Sequence, residues 1–125
     1  MKKAYGLYKA RNYRARLLAA AYRNHLHWSE FIGGDVVLTI THEWQVLLNN
    51  SDIEVRERMS DPVDPAILSV LHDKFAEFRK AYDEDGMATA DFDSYGATVR
   101  TMRSFIEAYR DILAIVRDFM LPPTD

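Results

Sequence analysis

The sequence predicts a mainly α protein, a bundle of about four helices ending in a long antiparallel helical hairpin. Two apolar patterns carry that expectation. Phe92, Tyr95, Val99, Met102, Ile106, Tyr109, Leu113, Val116 and Met120 follow one another at alternating spacings of three and four, the period of a helix that buries one face. Leu68, Leu71, Phe75, Phe78 and Tyr82 repeat the spacing earlier in the chain. Composition agrees: 125 residues, 48% hydrophobic and 28% charged, suit one globular domain rather than a disordered chain. The chain has no cysteine, which excludes disulfides, thiol catalysis and Cys-ligated metal sites.

The first helix is expected from about Ala4 to Phe31, ended by Gly33-Gly34. At 100° per residue Leu7, Leu17, Leu18, Ala21, Trp28 and Ile32 share one side, and Lys2, Lys9, Arg16 and Arg23 the other. Arg11 and Arg14 point into the apolar sector. An unpaired guanidinium costs several kcal/mol to bury, so residues 1–14 are expected to overhang the core as a basic arm. Residues 35–60 read two ways. Val36, Leu38 and Ile40 alternate as a strand would, with a β-hairpin over 36–59 turning near Asn49–Asp52. Val37, Ile40, Trp44 and Leu47 make a helical stripe instead, and Ser51-Asp52-Ile53-Glu54 reads as a capping box for a short helix through Met59. The helical reading suits the helical surroundings better, because an isolated hairpin is marginal.

Asp64-Pro65 opens the next helix, with proline at its first position. Asp83-Glu84-Asp85-Gly86 closes it as an acidic turn, Gly86 supplying a left-handed residue. The last helix takes Thr89, Asp91 and Asp93 as N-terminal caps and stops at Pro122-Pro123. Its apolar face is wide enough to be shared with a second copy of the chain.

Charge is unevenly distributed. Lys2, Lys3, Lys9, Arg11, Arg14, Arg16 and Arg23 lie in the first 29 residues, which hold no acid, so the formal −3 divides into +7 there and −10 beyond. Four of the seven tyrosines, Tyr5, Tyr8, Tyr13 and Tyr22, accompany the bases. An Arg-rich, acid-free start also suits a mitochondrial presequence. Against that, no serine precedes Ser29 and the segment runs straight into apolar helical sequence. No run approaches the ~20 apolar residues that cross a bilayer, and a cytoplasmic protein is expected.

No catalytic residue, metal site or cofactor is assigned. His25 and His27 face apart on a helix, His42-Glu43 lacks a second histidine, and His72, Asp73 and Glu77 lack the repeats of a di-metal bundle. Gly33-Gly34 alone is no phosphate loop. The expected function is a non-enzymatic interaction module (an adaptor, inhibitor or regulatory protein) that docks on an acidic protein surface through Lys9, Arg11, Tyr13, Arg14, Arg16 and Arg23. A second basic row, Arg103, Arg110 and Arg117, is expected to flank a helix seam and meet acids on a neighbour. Nucleic acid held by the first helix is the alternative. A helical enzyme or ligand-binding bundle using His25, His42 or His72 is the third reading.

Overall fold

Helix α1 spans Lys2–Ala10, and the residue that stops it is Asn12. Asn12 adopts a left-handed φ of 53°. Its N–H donates to the Lys9 carbonyl at 3.2 Å, and the Tyr13 N–H reaches back to the Tyr8 carbonyl at 3.0 Å. This pair of reversed bonds is a Schellman stop, and asparagine is the residue after glycine that accepts its left-handed position. The helix expected over 4–31 is therefore three elements: α1, strand β1 (Leu17–Ala19) and the single turn α2 (Leu26–Ser29). The computed structural model describes residues 1–121.

Strand β2 (Val36–Leu38) pairs in parallel with β1, in the register Leu17↔Val36, Leu18↔Val37 and Ala19↔Leu38. The alternation at 36–38 is thus real, with Val36 and Leu38 half-buried and Val37 outward. Its partner lies upstream rather than across a hairpin, through a crossover long enough for parallel pairing. Helix α3 follows at His42–Asn49. The short helix expected after Ser51 does not form, because Ser51 caps backwards: its hydroxyl donates to the Leu48 carbonyl at 2.8 Å. Asn50 does likewise to Val46 at 2.9 Å. Residues 52–58 run without helix or strand. The Arg58 and Met59 N–H groups both donate to the Ile32 carbonyl at 3.0 Å.

The chain gathers into two compact units, Met1–Leu68 and Ser69–Asp125. The first unit's core is small: Ala19, Tyr22, Ser29 and Met59 are buried. Gly33-Gly34 serves this core. Gly33 takes a φ of 85°, and a Cβ on Gly34 would stand 2.6 Å from the Met59 Cγ.

Helix α4 (Pro65–Lys74) begins as expected, the Asp64 carboxylate accepting the Ala66 N–H at 2.8 Å. It does not continue to Tyr82. Phe75 is extended (φ −123°, ψ 98°), and helix α5 restarts at Ala76–Tyr82. The Arg79 guanidinium bonds the His72 carbonyl at 2.5 Å, satisfying an orphan of the interrupted helix. Gly86 has no positive φ. It is glycine because a Cβ would meet the Lys80 carbonyl oxygen at 2.5 Å. Thr89–Asp93 form a separate 3-10 turn, in which the Asp91 carboxylate accepts the Ala88 N–H at 3.1 Å. Helix α6, Gly96–Met120, is 25 residues long, about 37 Å at the usual rise. Pro122-Pro123, expected to stop it, lie outside the described residues. The four-helix bundle thus gives way to six α-helices and a two-stranded parallel sheet among the described residues.

Candidate functional site

The Schellman stop builds the site. Reversing the chain at Asn12 returns Tyr13 against α1, where its ring meets Tyr8 edge-on with centroids 5.1 Å apart, a contact favourable by about 0.5–1.5 kcal/mol. Residues 14–17 then run beside the helix that precedes them. The result is a cleft of about 90 Å³ lined by Tyr5, Tyr8, Lys9, Tyr13, Arg14, Ala15, Arg16, Leu17 and Asp35. Lys9 holds its ammonium 5.4 Å from the Tyr5 ring centroid, within cation–π range. Arg16 pairs with Asp35 at 2.6 Å; both are more than half exposed, so the pair is worth only about 0–1 kcal/mol. Arg14 has no ion-pair or hydrogen-bond partner among the described residues. Three cations thus face one carboxylate, leaving an excess positive charge on a surface lined with phenols.

Alpha-1 is not loosely attached. Its Lys2 ammonium, 12% exposed, donates to the Glu30 carboxylate at 2.7 Å, the Arg58 carbonyl at 2.7 Å and the Asp61 carbonyl at 2.9 Å. The Asp35 N–H donates to the Tyr5 hydroxyl at 3.2 Å. The start of the segment expected as an overhanging arm is thus bonded to its own unit through Lys2 and Tyr5. Lys9, Tyr13, Arg14 and Arg16 meet in the cleft, while Arg11 occupies the turn between α1 and Tyr13. Arg23 stands apart, its guanidinium bonded to the Tyr22 carbonyl at 2.7 Å and its N–H to His27 Nδ1 at 3.0 Å. The heptad row Lys2, Lys9, Arg16 and Arg23 does not exist as a ridge, because α1 ends at Ala10. The sequence pattern does not mark Asp35 or Tyr5 as part of the site. Asp35 directly precedes β2, and its place here depends on the parallel pairing of that strand with β1.

The second basic row is a true row. Arg103, Arg110 and Arg117 lie at seven-residue spacing along one uninterrupted helix. Among the described residues Arg117 pairs with its neighbour Asp118, at 3.2 Å, and Arg103 and Arg110 make no ion pair. The histidines take local roles. His25 precedes α2 and His42 opens α3, while His72 Nε2 lies 3.1 Å from Asp83. Among the described residues no group of three or more His, Asp or Glu side chains is placed to hold a metal ion. No helix there is long and apolar enough to cross a membrane.

Burial raises the Tyr22 phenol above its ordinary range. Its hydroxyl and the Trp28 indole nitrogen are buried with no hydrogen-bond partner among the described residues. At the start of α3 the Glu43 carboxyl is lowered by its own backbone N–H and by the Thr41 side chain. Lys80 is raised by its contact with Glu77, 2.7 Å away. Compared with known proteins, the chain matches no family model, no curated protein and no solved structure.

Proposed function

We propose that the chain is a non-enzymatic interaction module, an adaptor, inhibitor or regulatory protein, that docks on an acidic protein surface through the cleft at Lys9, Tyr13, Arg14 and Arg16. The observation that carries this reading is the convergence of those four side chains, from both sides of one helix stop, on a single cleft. Its size supports it. At about 90 Å³ the cleft is small. That suits a carboxylate side chain, whereas drug-sized ligands need pockets of about 300–1,000 Å³. Arginine and tyrosine are also the side chains enriched where interface energy concentrates.

Nucleic acid remains the second reading, since the same cations could meet phosphates. It is the weaker one because a phosphate track wants a continuous row. Of the four cations expected to form that row, Lys2 is turned inward and Arg23 is held on Tyr22. The test is a fluorescence-anisotropy titration of a labelled Glu/Asp-rich peptide, with single-stranded RNA and duplex DNA as parallel probes at low salt. Saturable peptide binding that falls about tenfold or more in the Arg14→Glu/Arg16→Glu variant, equivalent to about 1.4 kcal/mol per decade, is expected. Arg103→Glu should leave it unchanged. Tighter binding of RNA or DNA than of peptide, or indifference to the double variant, would overturn the proposal.

A further inference from the structure

Among the described residues nothing of its own unit covers the apolar face of α6. Met102, Phe105, Ile106, Tyr109, Ile112, Leu113, Val116, Phe119 and Met120 are each between 46% and 87% exposed. Fully exposed side chains of these kinds present about 150–250 Å². The face therefore amounts to about 1,000 Å², more than the roughly 800 Å² that each partner contributes to a standard stable interface. A monomer seldom carries a contiguous apolar patch beyond about 300–600 Å².

The pattern of the face says how it can be covered. Val99, Met102, Ile106, Tyr109, Leu113, Val116 and Met120 form a seam at strict alternating spacings of three and four along the helix, the repeat of a coiled coil. The two flanks of that seam are unlike. One carries Arg103, Arg110 and Arg117; the other carries Thr98, Phe105, Ile112 and Phe119. In an antiparallel pair of identical helices each flank meets its own kind, and the three arginines of one copy face those of the other. In a parallel pair each arginine flank meets the apolar flank opposite. Arg110 of one copy then lies over Phe105 of the other and Arg117 over Ile112, where long aliphatic stems cover apolar surface and a guanidinium can stack on a ring.

We propose that the occupant is a second copy of this chain, and that two α6 helices pair in parallel and in register through this seam. The inference stands apart from the acidic-surface reading, which concerns the other unit. Its test uses the whole chain. Light scattering over a range of concentrations should return twice the 14.5 kDa chain mass, and Leu113→Asp should return the single mass. The emission of Trp28 and Trp44, the chain's two tryptophans, should stay unchanged in that variant because both lie in the first unit. Direction is read by a cross-link. The chain has no cysteine, so Leu113→Cys can oxidise only between copies, and parallel in-register helices bring the two sulfurs within disulfide reach. A covalent dimer of Leu113→Cys with itself is expected. A monomer at every concentration, a dimer indifferent to Leu113→Asp, or cross-linking only between Leu113→Cys and Tyr109→Cys chains, which antiparallel helices bring together, would each overturn the proposal.

Discussion

Asn12 is the residue on which the cleft turns. Its φ of 53° is costly for most side chains, by about 1–2 kcal/mol, and asparagine and glycine accept it best. Asn12→Ala should therefore lower stability by about 1 kcal/mol, and Asn12→Gly should leave it unchanged or higher, read by urea or thermal unfolding. Tyr22 makes the opposite case. Tyr22 is 3% exposed and its hydroxyl has no partner among the described residues, a burial that typically costs about 1–3 kcal/mol. Tyr22→Phe should raise stability by about 1 kcal/mol. The same burial sets a pH dependence. The folded phenol has its pKa raised above the unfolded value near 10, so the folded state holds its proton more tightly. The stabilisation from that difference is fully present below about pH 10 and is lost as pH rises through the folded value. Unfolding measured from pH 8 to 11 should show the decline in the wild type and a shallower one in Tyr22→Phe.

Among the elements, α1 depends on one lysine. Lys2 satisfies three acceptors from Glu30, Arg58 and Asp61, and hydrogen bonds to charged groups contribute about 1.5–3 kcal/mol. Lys2→Ala should cost about 2 kcal/mol, and removal of residues 1–14 should lower the melting temperature markedly. A deletion without effect would restore the free-arm reading. Element by element, what was legible depended on range. The α6 stripe, the Asp64-Pro65 start and the alternation at Val36–Leu38 are local patterns, visible in the sequence and present in the fold. The break at Phe75 was not legible, since neither glycine nor proline marks it and Arg79 compensates it from four residues away. The parallel partner of β2 was equally hidden, because Leu17–Ala19 lacks the β-branched residues that announce a strand. The stop at Asn12 is a local signal, but the apolar and basic spacings continue across it as if the helix did. An unbroken helix makes the bases a ridge and puts Arg11 and Arg14 on its apolar face, whereas the stop folds the bases into a cleft.

For the whole molecule, the division of charge changes with the fold. By sequence the first 29 residues stand at +7 against −10. By unit, the first 68 residues hold 9 basic and 8 acidic side chains and the rest hold 7 and 11. Most of the N-terminal charge is thus answered within its own unit, by Glu30 and Asp35 among others, and the excess is concentrated at the cleft. An interaction of that origin is screened over a Debye length of about 10 Å at 0.1 M salt, so peptide affinity should fall steadily as ionic strength rises. The decisive observation is a backbone amide NMR titration of the full chain with the Glu/Asp-rich peptide. Shifts confined to Tyr8, Lys9, Tyr13, Arg14, Arg16 and Asp35, with Arg103, Arg110 and Arg117 silent, are the predicted result. Shifts centred on α6, or none in the cleft at saturating peptide, would contradict it.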